Sequence, residues 1–351
     1  MLWGACVAQA QILVTDIAGR QVEIAAPPQR VILSAPYYFP ALEILRSDAA
    51  DLIMGVSGAY GMAEFEKTPH VGWVGSSFSI ETFLELDPDL LIADGARTAD
   101  WLAVEAVLER VGIPIVYVDF ANDPARNTVP SIEILGRVFG EEERASQFIE
   151  FHKSHVARIT SRIKTGHPVP QKLIMNLRRG WDGCCAARRE GVKAYLDLVG
   201  VDNIAEDIPG AGSPGAELSL EYIIASDPQI FVAVTATQSP TSFFGTPRSL
   251  ERAVSSLQKL ANEEEFQGLA AMRSRRVHVV DISLMRSPFN VLLLELLAKW
   301  AHPDLFADLD PQATLDELNE RFLTTPMKGP FWASLDPAAD RPAGQPYDEH
   351  P

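Results

Sequence analysis

Residues 141–164 read EEERASQFIEFHKSHVARITSRIK, and this stretch decides how the rest of the chain is organised. Gly140 precedes it and Gly166, Pro168 and Pro170 follow, so residues that break helices stand just outside both ends. Phe148, Val156, Ile159 and Ile163 fall on one face of a 3.6-residue repeat. Glu141, Glu142 and Glu143 crowd the first turn and Arg158, Arg162 and Lys164 the last, the arrangement the helix dipole favours. At ~1.5 Å per residue such a helix is ~36 Å long, enough to form a strut between two lobes. His152 and His155 lie on it three residues apart with Lys153 between them; they read as solvent-facing rather than as a metal pair.

The segments on either side of the strut repeat one another. Residues 79–93 are SIETFLELDPDLLIA and residues 219–233 are SLEYIIASDPQIFVA. Each reads as a short helix, an Asp-Pro turn and a buried strand. Self-similarity across a central helix predicts two similar α/β halves. Further short apolar runs at Arg30–Ser34, Leu52–Val56, Leu90–Ala93 and Ile115–Val118, with helical stretches between them, predict a mostly parallel sheet. Val14–Ile24 predicts an opening hairpin turned at Ala18-Gly19. Lys172–Leu177, Ile230–Val234 and Val277–Val280 predict a second such sheet, closed by helices at Leu292–Ala301 and Thr314–Phe322. The predicted division is a leader remnant at 1–10, an α/β lobe at 11–139, a connecting helix at 140–166, a second α/β lobe at 167–335, and a polar, proline-rich, disordered tail at 336–351.

The chain has 351 residues and a formal net charge of -17, which argues against a nucleic-acid groove. No apolar run is long enough to span a membrane. MLWGACVAQA ends in Ala8-x-Ala10, the small-residue pattern that a signal peptidase cuts, so residues 1–10 read as the end of an export signal; Cys6 is a weaker lipidation candidate. Of the three cysteines, Cys184 and Cys185 are adjacent. They could close a vicinal disulfide or remain reduced beside a turn, and two cysteines make a poor zinc site.

The chain carries no Gly-x-Ser-x-Gly elbow, phosphate-binding loop, dinucleotide fingerprint or His-Glu-x-x-His helix, so it reads as a binding protein more than an enzyme. The rival is a thiol-dependent enzyme using Cys184 or Cys185, which would need a base to lower the thiol pKa. Ligands of open α/β sheets collect at the carboxyl ends of strands. There the sequence offers Tyr37 and Tyr38, which could stack on a flat ligand or give phenolates to bare ferric iron. Arg97, Arg178, Arg179 and Arg286 suit carboxylates, and Trp73, Trp181 and Phe244 supply apolar walls. Glu81 and Glu221 occupy one position in the two repeat copies, which suits a partner with twofold symmetry and two basic pockets.

Residues 14–36 (VTDIAGRQVEIAAPPQRVILSAP), the repeat with Glu81 and Asp87-Pro88-Asp89, residues 196–205 (LDLVGVDNIA), AMRSRRVHVVD and SPFNVLLLELLAKWAHPDLF resemble the periplasmic substrate-binding proteins of iron-siderophore, haem and cobalamin ABC importers. The likeness runs from about residue 14 to 332; Gly200-Val201-Asp202 departs from the usual Gly-Gly wording. The resemblance implies two Rossmann-like lobes with mostly parallel sheets, joined by one long backbone helix and holding a ligand between them. It implies a periplasmic monomer without a resident cofactor that carries an iron chelate or corrinoid, ferric siderophore first and haem or cobalamin next. It places Glu81 and Glu221 where the family docks on arginines of the ABC permease dimer. The Cys184-Cys185 pair also resembles that of some iron-complex members.

Overall fold

Apolar runs bounded by turn residues become short strands, and most of them are buried. The computed structural model describes residues 11–57, 65, 67–178, 186–187, 191–206, 208, 216–235 and 247–340. The leader, Cys6, Arg179, Trp181, Cys184, Cys185 and Phe244 lie outside the described residues. The chain divides into two compact units, one formed by Met1–Ala59, Glu64–Asp119 and Arg126–Ile149, the other by Tyr60–Ala63, Phe120–Ala125 and Glu150–Pro351.

In the first unit β1 (Ile12–Thr15) and β2 (Gln21–Ile24) form an antiparallel hairpin. Then β3 (Val31–Leu33), β4 (Ile53–Val56), β5 (Leu90–Asp94) and β6 (Ile115–Val118) pair in parallel in the order β4-β3-β5-β6. All three residues of β3 are fully buried, as a strand covered on both faces requires. Helices α1 (Phe39–Leu45), α2 (Ala49–Leu52), α3 (Ile80–Glu85), α4 (Ala99–Val111) and α5 (Pro124–Phe139) accompany these strands.

The long helix α6 spans Glu142–Gly166, two residues beyond the predicted end. Gly140, at φ +70, closes α5 instead, while His167 takes the left-handed conformation at φ +44 and its N–H donates to the Ile163 carbonyl. A Cβ on Gly166 would stand 2.9 Å from Leu305, so the glycine stays helical and lets that leucine approach. The boundary between the units falls inside this helix, after Ile149.

The solvent-facing reading of His152 and His155 is corrected: both are buried. Phe148, His152, His155 and Ile159 follow one another by four, three and four, so the histidines share the apolar face. They lie on it with partners, which is how a polar group becomes tolerable there.

The second unit contains β7 (Gln171–Arg178), β8 (Ala186–Ala187), β9 (Val201–Asn203), β10 (Ala216–Glu217), β11 (Ile230–Thr235), β12 (Val277–Asp281) and β13 (Trp332–Ser334). Its helices are α7 (Lys193–Val199), α8 (Leu220–Ser226), α9 (Pro247–Asn262), α10 (Glu264–Gln267), α11 (Ala270–Arg273), α12 (Ile282–Arg286), α13 (Asn290–Ala301) and α14 (Pro311–Phe322). The parallel part of its sheet runs β9-β7-β11-β12, and β13 adds an antiparallel edge to β12. Residues 336–340, expected as the start of a disordered tail, are ordered, and residues 341–351 lie outside the described residues. Asp340 accepts from Trp300 Nε1–H at 3.0 Å and from the Ser334 hydroxyl at 2.6 Å, which anchors the chain up to that point.

The repeat seen in the sequence extends through both sheets. β3 pairs with β5 through Val31↔Leu90, and β7 pairs with β11 through Leu173↔Ile230. Likewise Leu91↔Ile115 corresponds to Phe231↔Val277. The cores correspond as well: Ile32, Phe83, Leu91, Ala93 and Ile115 cluster in the first unit, and Ile174, Ile223, Phe231, Ala233 and Val277 cluster in the second.

Candidate functional site

In each parallel sheet the first strand is central: the chain goes to one side of it and then returns to the other. The switch point therefore lies between β3 and β5 in one unit and between β7 and β11 in the other. Sheets of this kind bind ligands outside the carboxyl ends of the strands at such a point.

After β3 the chain makes a single 3-10 turn, Pro36–Tyr38, and enters α1. The Tyr38 hydroxyl donates to Asp94 Oδ2 at 2.9 Å, bridging the ends of β3 and β5 across the switch point. Tyr38 and its neighbour Tyr37 are both buried. Asp94 also accepts the Ala96 N–H at 2.8 Å, which fixes the turn towards Arg97.

Arg97 is held by Glu105: its Nε and Nη2 each donate to one carboxylate oxygen at 2.8 Å. The Tyr117 hydroxyl donates to the same carboxylate at 3.2 Å, and Arg20 Nε stands 3.0 Å from it. The Arg97 hydrogen bonds are the main reason the Glu105 carboxyl lies below its usual range, against the opposing effect of burial. Burial in turn raises the Tyr117 phenol, followed by the charge of Glu105. Glu105 is thus an anion that orients a cation, leaving the Nη1 side of Arg97 for a further acceptor. Sequence reading missed this role. The signal was present, because Glu105 sits four residues after Trp101 and three before Leu108, both buried on the same side of α4.

Trp73 is 36% exposed and heads a turn in which its carbonyl accepts the N–H groups of Ser76, Ser77 and Phe78. In the second unit Arg178 ends β7 opposite Thr235, and its side chain lies outside what the structure describes. Arg286 ends α12, a short helix that follows β12 directly and is capped by Asp281, which accepts the Ser283 N–H at 2.8 Å. The structure therefore places Tyr37, Tyr38, Trp73 and Arg97 in the first unit and Arg178 and Arg286 in the second.

The two glutamates of the repeat occupy matching environments. Glu81 is in the first turn of α3, where the Ser79 hydroxyl accepts the Thr82 N–H at 3.1 Å. Glu221 is in the first turn of α8, where Ser219 accepts the Tyr222 N–H at 3.2 Å. Both glutamates are exposed. Each helix gives way to an aspartate in the left-handed conformation, Asp87 at φ +48 and Asp227 at φ +41. Among the described residues no group of three or more His, Cys, Asp or Glu side chains is arranged to hold a metal ion.

Two α/β units, each with its first strand inside a parallel sheet and each carrying one copy of the helix-turn-strand repeat, define a two-unit α/β fold built by internal duplication. The chain belongs to the periplasmic binding protein family, whose sequence profile matches residues 42–283. It is similar to the Fe(3+) dicitrate-binding periplasmic protein FecB of Escherichia coli strain K12, with 26% identity over 156 residues; that match covers 43% of this chain and 46% of the relative, less than half of either. Among solved structures it resembles the TroA-like periplasmic binding protein FepB from Veillonella parvula, at TM-score 0.79 and 23% identity over 92% of this chain and 99% of that one. It also resembles the molybdate-bound periplasmic binding protein MolA of Haemophilus influenzae, at TM-score 0.69 and 16% identity over 90% of this chain and 99% of that one. Helicobacter pylori CeuE with Ni(II) bound gives TM-score 0.66 and 18% identity over 90% of this chain and 96% of that one. These structural likenesses establish the fold.

Proposed function

We propose that this chain is the substrate-binding component of an ABC importer, working in the periplasm, that captures an iron chelate and delivers it to the permease. The observation that carries this reading is the pair Glu81 and Glu221, exposed at one position of a repeat whose register, caps and turns match in both units. An acid in the first turn of a helix also suits the helix dipole, so it is the exposure of both at one position of the repeat that supports a docking role. A two-fold partner with two basic docking points fits that role.

Ferric siderophore is the proposed cargo, ahead of haem and cobalamin. The ferric dicitrate relative supports an iron complex rich in carboxylate oxygen, and Arg97, Arg178 and Arg286 suit such groups by their planar forks. Tyr37 and Trp73 would supply aromatic contact, while the Tyr38 hydroxyl is engaged by Asp94. No chemical step is required of the protein: it binds, presents and releases.

The test has two parts. Absorption spectroscopy and native mass spectrometry of the protein titrated with ferric citrate, a ferric catecholate, haemin and cyanocobalamin will show which is bound; retention of none of them would overturn the cargo. Glu81→Ala combined with Glu221→Ala should abolish uptake in cells while leaving affinity for the bound chelate intact. Loss of affinity would place the acids in the ligand site.

A further inference from the structure

The two docking helices carry a second matched feature. Leu84 is 38% exposed and Ile224 is 48% exposed, and both are large aliphatic side chains turned to solvent. They occupy the same position of the repeat, three residues after Glu81 and Glu221. On a helix this spacing sets two side chains side by side, with Cβ atoms about 5–6 Å apart. The residue just before each aliphatic group faces the core, Phe83 in one copy and Ile223 in the other, both buried. The same face therefore presents an acid and an aliphatic group in each unit.

Neither helix needs this apolar group for its own core, since Phe83 and Ile223 already fill that role. A single exposed leucine would require no explanation. Two at equivalent positions, each beside an equivalent exposed glutamate, are a repeated surface element.

We infer that Glu81 with Leu84, and Glu221 with Ile224, are two copies of one bipartite docking element, and that the ABC permease offers each a cationic side chain beside an apolar one. The inference rests on the permease-docking reading of the glutamates and adds a contact to it. Charge complementarity selects a basic partner, and the repetition selects one that offers the same site twice. The acid gives orientation and rate of encounter, which salt screens. The aliphatic group gives a desolvated contact that salt does not weaken. Tyr222 extends the second copy: its ring is 37% exposed and its hydroxyl donates to the Ile204 carbonyl at 2.7 Å, whereas the first copy has Thr82 at that place.

The experiment measures binding of the exported protein to its cognate permease complex in lipid nanodiscs, at about 50 mM and about 500 mM salt. Leu84→Ser with Ile224→Ser should weaken binding by about tenfold at both salt concentrations. Glu81→Ala with Glu221→Ala should weaken it most at low salt. Leu84→Met with Ile224→Met should bind like the native chain, and thermal melts should show the serine variant folded. Binding of the serine variant within about twofold of native, while the alanine variant fails, overturns the inference and leaves the docking acids in place. Native binding by both variants overturns the docking reading itself. Loss confined to the serine variant overturns the bipartite element, because the acids then lie outside the interface.

Discussion

His155 Nδ1 lies 2.8 Å from Glu295 Oε1, and the side chain of that glutamate has no solvent exposure. Arg158, one turn along the same helix, donates to the same oxygen, while Glu295 Oε2 has no hydrogen-bond partner among the described residues. A carboxylate buried in the leucine-rich helix α13 thus fastens the C-terminal half of α6. Removing a partner of a buried ion pair costs about 3–5 kcal/mol when the remaining charge stays buried. Arg158 is 42% exposed and can be rehydrated, so Glu295→Ala should cost less, about 2 kcal/mol. Glu295→Met, which refills the space, should cost less again; urea unfolding of the two variants measures the difference.

Burial holds the His152 imidazole down to about 4, opposed by its hydrogen bond to Asn290 Oδ1 at 3.1 Å. In the unfolded chain the group titrates near its ordinary value of about 6.5. Above that value both states are neutral and the histidine contributes no pH dependence. As pH falls from about 6.5 towards 4, the unfolded chain takes up a proton that the folded chain refuses, so stability is lost across that window. His278 and His302 are shifted in the same direction by burial and add to the loss. The unfolding free energy of the native protein should fall by up to ~1.4 kcal/mol per pH unit for each such histidine, and His152→Gln should remove one proton from that slope.

The parts of this behaviour that were legible in the sequence are those set by local rules. The matched Ser-x-Glu starts, the Asp-Pro turns and the apolar strands at 90–93 and 230–234 are written in adjacent residues. His152 and His155 were misread because imidazole was counted as polar, although their spacing from Phe148 placed them on the buried face. Their partners could not be seen, since Asn290 and Glu295 lie more than a hundred residues away and the glutamate interrupts a run of leucines. The edge strand β13 has three residues and no alternation to reveal it. The orienting role of Asp94 depends on loop geometry, which pattern does not encode, whereas the place of Glu105 on the buried side of α4 is legible in its spacing from Trp101 and Leu108.

Two glycines with positive φ should respond differently to alanine. Gly19, at φ +80, has nothing within 4 Å of a Cβ placed on it, so Gly19→Ala should cost only the conformational strain, about 1 kcal/mol. Gly72, at φ +78, would drive a Cβ into the Ser77 carbonyl in the turn that carries Trp73 and leads to α3. Gly72→Ala should therefore cost more than about 3 kcal/mol or rebuild the turn. Melting temperatures rank the two, and a smaller effect at residue 72 would show that the turn yields.

The last prediction concerns a clamp built twice with different chemistry. Asp89 Oδ2 accepts the Gln29 N–H at 2.7 Å and Oδ1 accepts the Arg30 N–H at 3.0 Å, so the residue after the Asp-Pro turn pins the start of β3. In the second unit Gln229 Oε1 accepts the Lys172 N–H at 2.7 Å and pins the start of β7. Main-chain bonds complete both clamps: Asp89 N–H to the Arg30 carbonyl and Gln229 N–H to the Lys172 carbonyl, each at 2.9 Å. The aspartate makes two charge-assisted bonds and the glutamine one neutral bond. Asp89→Ala should therefore cost about 2–3 kcal/mol and Gln229→Ala about 1 kcal/mol. Asp89→Asn keeps one acceptor and should fall between them. Amide exchange gives the local test, with protection of the Arg30 N–H lost in Asp89→Ala and that of Lys172 lost in Gln229→Ala. If the two substitutions prove equal, the charge adds nothing at this position, and the two halves hold their first strands by geometry alone.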